Sequence, residues 1–440
     1  MTAEPTKEKT SPGNYFVANY PPFSAWQPAH VPDAEAAMHS APEPATPLGL
    51  YLHIPFCRKR CKFCYFRVYT DKNARDVETY LDALTREVEL YARLPVAEGR
   101  PLHFVYFGGG TPSYLSATQL GDLFARLQAV MPWDQAAEVT FECEPGTLQE
   151  HKLQALKEKG VTRLSLGIEN FDDRILESNG RAHLSSEIFR AYRWARDLGF
   201  DQINIDLIAG MVGETWDNWR ECVRKTIDLA PESVTIYQME LPFNTVFTKE
   251  LHVLGSDGSP PVAVADWSTK RAWVGFAFEE LEKAGYEVSS GYTMVRDRSR
   301  TRFVYRDCLW HGADMLGTGV ASFGHVNGVH VQNVDAWENY VDMLQAGKLP
   351  LGRALPLTPR QRLIREMILQ LKTGRLETRY FQEKFGVSVR DEFAEAFEQM
   401  ARDQFAALGD DVVLTRQGLL QVDRLLPAFF EPEFRGGRYT

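Results

Sequence analysis

Tyr51-Leu52-His53-Ile54-Pro55-Phe56 runs directly into Cys57-Arg58-Lys59-Arg60-Cys61-Lys62-Phe63-Cys64, and this stretch decides how the rest of the chain reads. It is an apolar strand followed by a CxxxCxxC triplet. Three thiolates so close together can wrap one soft metal centre, and thiolates select zinc, copper(I) or iron–sulfur clusters. A structural zinc site asks for a further Cys or His pair at ligand spacing, and no such pair follows. A [4Fe–4S] cluster held by three cysteines fits better, because it leaves one iron open to a chelating small molecule. The plainer alternative is three incidental cysteines at a strand end in a reducing cytosol.

Outward from this stretch, short apolar runs alternate with amphipathic stretches of helical length, the sign of βα units on a parallel sheet. Strands are expected at 49–54, 103–107, 138–143, 163–168, 202–208 and 233–239. Helices are expected near 75–94, 117–130, 149–159, 185–198 and 215–229. Ile203-Asn204-Ile205-Asp206-Leu207-Ile208 has nearly the continuous apolar character of a strand buried on both faces. In barrels of this kind chemistry gathers at the C-terminal strand ends. Beyond the sixth strand come Pro242-Phe243-Asn244-Thr245, a helix over 266–285, a glycine-rich stretch at 312–321, and a mainly helical segment with a short hairpin at 411–415.

Residues 1–47 are rich in Pro, Ala and Ser, and their outer portion is expected to be mobile. The aromatics Tyr15, Phe16, Tyr20, Phe23 and Trp26 are expected to hold the inner portion against the barrel. The expected organisation is an N-terminal extension at 1–47, a barrel core at 48–245, a flanking extension at 246–355 and a C-terminal helical domain at 356–440.

Composition limits the classes of function. A net charge of −10 argues against bulk nucleic-acid or anionic-membrane binding. No apolar run is long enough to span a membrane, and the start lacks the basic and apolar regions of a signal peptide. The remaining cysteines, Cys143, Cys222 and Cys308, are scattered and suggest no disulfide framework. A cytoplasmic protein is the expectation.

Gly108-Gly109-Gly110-Thr111-Pro112 closes the second expected strand. Consecutive glycines let backbone approach a ligand and take positive φ, with a simple tight turn as the alternative. The lysine and hydroxyl of a P-loop are absent. Carboxylates stand at other strand ends in apolar surroundings, namely Glu142, Glu169 and Asp206. A buried carboxylate is expensive unless paired or hydrogen-bonded, so each needs a structural partner or a ligand. Arg181 offers a planar fork for a ligand carboxylate, with a solvated loop charge as its alternative.

The cysteine triplet behind one strand and GGGTP at the end of the next resemble the radical S-adenosylmethionine (radical SAM) superfamily. The resemblance implies an α/β fold, a radical SAM partial (β/α)6 barrel, with Cys57, Cys61 and Cys64 on a [4Fe–4S] cluster whose open iron binds SAM. It also implies reductive cleavage of SAM to methionine and a 5′-deoxyadenosyl radical, chemistry that the cofactor carries while the protein positions it. Tyr-x-His-Ile-Pro-Phe-Cys, GGGTP, Glu-Cys-Glu-Pro, Ser-Leu-Gly-Ile-Glu-Asn-Phe, Asn-Ile-Asp-Leu-Ile-Ala-Gly and Leu316-Gly317-Thr318-Gly319 occur in order. Together they are similar to the oxygen-independent coproporphyrinogen III oxidase (HemN-like) family, with its C-terminal mainly helical module.

That family binds two SAM molecules. Carried over, Tyr51, Gly109 and Glu142 match positions at the cluster-bound SAM. Phe63, Gly110, Thr111, Glu169, Arg181 and Asp206 match positions at the second, which Met239 would line. Glu169 departs from the oxidase's Gln.

Other departures bear on the branch. The oxidase continues CxxxCxxCxC, whereas Cys64 here is followed by Tyr65-Phe66-Arg67, and only Asn19-Tyr20-Pro21-Pro22 is similar to its N-terminal tyrosine motif. The haem-chaperone branch carries His-Asn-x-x-Tyr before the Leu-Gly-x-Gly element, where this chain reads Tyr305-Arg306-Asp307-Cys308. Three cysteines followed by aromatics look similar to the methyltransferase and cyclopropanase branch. There the radical takes hydrogen from the methyl group of the second SAM, and the methylene unit adds to an sp² carbon. Tyr65, Tyr237 and Glu240 are the expected catalytic residues, with structural roles as the alternative. Methyl or methylene transfer is the leading expectation. Coproporphyrinogen decarboxylation or another tetrapyrrole reaction is the alternative enzyme, and haem chaperoning the alternative without catalysis. The implied partners are a small-molecule substrate and a reductant such as flavodoxin or ferredoxin, with no nucleic acid or membrane, on a monomer.

Overall fold

The computed structural model describes residues 16–242, 245–251 and 264–436. Helix α1 (Val31–Met38) precedes a βα series of β1 (Leu48–Ile54), α2 (Ala74–Ala92), β2 (Leu102–Gly109), α3 (Ala117–Val130), β3 (Glu138–Cys143) and α4 (Glu150–Glu158). The series continues with β4 (Arg163–Glu169), α5 (Asp173–Ser178), α6 (Ser185–Asp197), β5 (Gln202–Ala209), α7 (Trp216–Leu229) and β6 (Ser233–Gln238). The helix starts are written in the sequence. Asn73 and Asp76 exchange side-chain and backbone hydrogen bonds at the start of α2, as do Ser116 and Gln119 at α3, and the Thr215 side chain caps α7.

Strands β1 to β6 pair in parallel and in chain order, and their side chains are almost all buried. Register then fixes the site. Ile54 faces Gly109, Glu142 faces Ser165, Gly167 faces Asp206 and Ile208 faces Tyr237. The polar strand ends therefore sit on one rim.

Past β6 come α8 (Val246–Leu251), α9 (Trp267–Lys283), β7 (Glu287–Val288), β8 (Thr293–Val295) and α10 (Val304–Trp310). Next are β9 (Asp314–Thr318), β10 (Phe323–Val326), β11 (Val329–Asn333), α11 (Trp337–Gln345) and β12 (Leu351–Pro356). These strands enlarge the sheet to twelve, in the order β12-β11-β10-β9-β1-β2-β3-β4-β5-β6-β8-β7 among the described residues. Within the glycine-rich stretch, Asp314–Thr318 forms a strand. β9 lies parallel to β1, and a Cβ on Gly317 would fall 2.0 Å from the Phe323 carbonyl oxygen. Close backbone approach is what the glycine supplies there.

The C-terminal part has α12 (Pro359–Leu371) at its centre and further helices around it. It also holds a three-stranded sheet of β13 (Arg375–Leu376), β14 (Ala406–Leu408) and β15 (Val412–Leu414), larger than the expected hairpin.

The N-terminal segment packs onto the barrel from Phe16. Tyr15 lies outside the described residues, as do Phe243 and Asn244. Gln27 bridges to Ala354 and covers the β12 edge, which would otherwise offer unpaired backbone groups. Val17, Tyr20 and Trp26 are buried, and Trp26 stacks on His330 with ring centroids 4.8 Å apart.

Candidate active site and cluster loop

The cysteine loop leaves β1 at Pro55 and is clamped at both ends. The Cys57 amide donates to Tyr69 O and the Tyr69 amide to Pro55 O, at 3.0 and 2.7 Å. Midway, the Lys62 amide donates to Asn179 O at 3.0 Å. Cys57, Cys61 and Cys64 are free thiols, each half-buried. Thr111 Oγ1 donates to Cys57 Sγ and Arg181 Nη1 to Cys61 Sγ, both at 3.3 Å. Burial pushes the Cys57 thiol up to about 11 and that of Cys64 up to about 12, a cost that a bound cation reverses.

The glycine loop packs against the end of β1. Gly109 has φ of +114°, and a Cβ there would lie 2.5 Å from the His53 ring. On Gly110 it would lie 2.9 Å from Ile54 O. Glycine is required here by His53 and by the β1 backbone.

Four groups at the strand ends share one space. Glu142 accepts from Tyr106 Oη at 2.7 Å and from the Gly109 amide at 3.1 Å. Burial still pushes it up to about 7, with Asp206's charge adding to the rise. Glu169 stands in the left-handed region at φ +66°, at a register shift in β4, and burial raises it to about 7 against the pull of Arg181. A non-glycine residue held there is strained, a feature common at functional sites. Asp206 accepts from Ser165 Oγ at 2.8 Å and Asn204 Nδ2 at 2.9 Å, and burial raises it too. The charges of all three carboxyls reach Tyr237, whose phenol is pushed well above its ordinary value first by the surrounding protein. Tyr237 is nevertheless 41 % exposed.

Arg181 is no solvated loop charge. Besides Cys61 it donates to Gly167 O, and it lies 3.7 Å from Glu169 Oε1. Its fork is therefore partly spent on the protein, and only its buried Nε lacks a partner. Phe63 and Met239 join an apolar wall with Ile175, Ile208, Met211 and Phe247. Glu240 accepts from the Phe16 amide. Burial raises Glu240 to about 8, with Asp423, Lys372 and Lys270 also near it. Tyr65 is raised by burial first and then by Glu240's charge. Tyr51 stacks on Tyr106 and reaches His53 Nδ1 at 3.3 Å.

Sequence reasoning missed His53 and Lys270, and it placed Phe16 against the barrel without its bond to Glu240. His53 had a signal, since it lies two residues from Tyr51 on one face of β1. It is buried with Nε2 unpartnered, and burial lowers it to about 4. Lys270, lowered to about 8 by burial, donates to Met239 O at 2.9 Å from α9, and no motif announces it.

Residues 51–226 match the Radical SAM superfamily. The chain is 30 % identical over 286 residues to the heme chaperone HemW of Haemophilus influenzae, spanning 63 % of this chain and 70 % of that protein. The chain belongs to the radical SAM superfamily. Over 433 residues it is 26 % identical to the oxygen-independent coproporphyrinogen III oxidase of Synechocystis, spanning 93 % of this chain and 91 % of that one. Its fold matches the solved coproporphyrinogen III oxidase (HemN) of Escherichia coli at a TM-score of 0.79 and 23 % identity, covering 94 % and 96 % of the two chains. It is a HemN-like radical SAM protein, and this superfamily works with a [4Fe–4S] cluster and SAM.

The donor set fits that cluster. Three free thiols share one loop, and a hydroxyl and a guanidinium donate to two of them. Among the described residues no three Cys, His, Asp or Glu side chains converge as on a single ion. A cluster makes a different demand, one thiolate per iron. No helix among the described residues is long and apolar enough to cross a membrane.

Proposed function

We propose that this HemN-like radical SAM enzyme binds two SAM molecules and transfers a one-carbon unit from the second to an unsaturated carbon of a small molecule. Cys57, Cys61 and Cys64 would hold the cluster, which would supply the electron for cleaving the first SAM. Tyr51, Gly109 and Glu142 hold that molecule. Phe63, Gly110, Thr111, Glu169, Arg181, Asp206 and Met239 hold the second, with the carboxyls on its polar side and the Phe63–Met239 wall on its apolar side. Holding the donor methyl group against one radical and nothing else is the protein's main task.

Tyr65, directly after the last cysteine and within reach of the charge of Glu240, supports this reading. Methyl transfer there would need the acceptor carbon's hydrogen to leave as a proton and the carbon–sulfur bond to break with release of S-adenosylhomocysteine. One electron from the external reductant and one proton from solvent would complete the methyl group. A carboxyl near 8 is suited to accept the departing proton in weakly basic solution. Tyr237 lines the same space and orients the acceptor.

The test is anaerobic turnover with SAM deuterated in its methyl group, weighing the 5′-deoxyadenosine formed. Deuterium in that product supports one-carbon transfer. Unlabelled deoxyadenosine that rises only with a porphyrinogen, which then loses carboxylates, would replace it with the oxidase reading, favoured by the relative that spans nearly the whole chain. Tight haem binding without deoxyadenosine would favour the chaperone reading.

A further inference from the structure

The charge around the cluster loop runs against the charge of the molecule. Residues 57–75 hold seven Lys or Arg and one Asp, in a chain of net charge −10. Arg58, Lys59, Arg60 and Arg67 are exposed. The acidic groups beside them are Glu144, Asp335, Asp71 and Glu338. Glu144 is buried, held by Arg58 and His183 and pulled down to about 2. Asp335 stands 3.9 Å from Arg67, and Asp71 is exposed on the same stretch. Lys59 makes no ion pair among the described residues.

Two of the few large apolar side chains that are exposed lie alongside. Phe66 is 49 % exposed and adjoins Arg67, and Leu184 is 51 % exposed, two residues from the Ala182 carbonyl that Arg58 holds. Exposed aromatic and apolar anchors within a charged rim are the make-up of a protein-docking surface.

We infer that this basic face is where a small acidic electron-carrier protein docks to reduce the cluster. The loop that carries the three thiols also carries the basic residues, so a partner drawn to them meets the protein directly over the cluster. One electron leaves the reduced carrier, which is oxidised by one unit, and reaches the cluster; no group passes with it. The long-range charge steers the encounter and the apolar pair sets the contact. This rests on the cluster assignment above, and the experiment separates the two.

Reduction of the reconstituted protein is followed by stopped flow with an acidic flavodoxin as donor, and by titration with dithionite. Binding of the same flavodoxin is read by fluorescence anisotropy. The variant carries Lys59→Glu and Arg67→Glu, neither of which touches a thiol. Expected are a fall of about ten-fold or more in flavodoxin affinity and reduction rate, a wild-type rate that drops steeply as salt screens the face, and an unchanged dithionite endpoint. Equal flavodoxin binding and rates in variant and wild type, at low and high salt, would overturn the proposal. So would charge-dependent binding of an RNA oligomer with none of the flavodoxin. Failure of dithionite to reduce any cluster would instead indict the cluster assignment, and the anisotropy would still decide the docking.

Discussion

Replacing Arg181 by Met removes a buried cation that touches three groups, and its consequences can be worked out in order. The hydrogen bonds to Cys61 Sγ and Gly167 O are lost, and Glu169 loses the guanidinium 3.7 Å away. Breaking a buried ion pair costs about 3–5 kcal/mol when the remaining charge cannot escape. Glu169 has an escape, because burial already holds it near 7 and loss of Arg181 pushes it higher. At pH 6 it is protonated and the loss should stay near the cost of the lost hydrogen bonds, about 2–3 kcal/mol. An acid raised in the folded state binds more protons folded than unfolded, so stability falls as pH rises until the folded pKa is passed. The loss in Arg181→Met should therefore grow between pH 6 and 8 by up to about 1.4 kcal/mol per unit. Adding Glu169→Gln should abolish that growth. The assay is anaerobic urea unfolding of the cluster-free protein at both pH values. A loss that is equal at pH 6 and 8, or a slope that survives Glu169→Gln, would refute the reasoning.

Three further outcomes are expected. Glu240→Gln should remove a turnover limb that rises as pH passes about 8, while deoxyadenosine formation persists, read from pH profiles of product and deoxyadenosine; Asp423, Lys372, Lys270 and Tyr65 are near the same carboxyl and set its position. Gly109→Ala should destabilise by about 2 kcal/mol or more, because it combines φ of +114° with a 2.5 Å approach to His53, and His53→Ala in the same chain should recover part of it in thermal unfolding. Acid should loosen the N-terminal clamp: burial depresses His330 to about 3 and its neighbour His325 as well, so their stability is intact above about 6.5 and is lost as pH falls towards 3. Hydrogen exchange of residues 17–27 should rise over that window, and a flat response would exclude it.

The sequence by itself determined the elements and the thiols. Parallel strands buried on both faces must be apolar, so β1 to β6 stood out as runs, and Asn73, Ser116 and Thr215 mark the starts of α2, α3 and α7. Cys57, Cys61 and Cys64 were legible because one short loop holds all three, and Glu142, Glu169 and Asp206 because carboxylates in apolar strands need a reason. Tertiary structure decided what local pattern does not encode. β9 hides behind its glycines, since pairing with β1 rather than its own side chains makes it a strand. Arg181 reads as a fork for a ligand carboxylate or a loop charge until the fold buries it against Cys61 and Gly167. Phe16 meets Glu240 across 224 positions of sequence, and Lys270 reaches Met239 from a helix with no motif. Spacing along a chain carries information only over the reach of a loop or a helical turn; contacts between distant segments follow from which faces the sheet leaves uncovered.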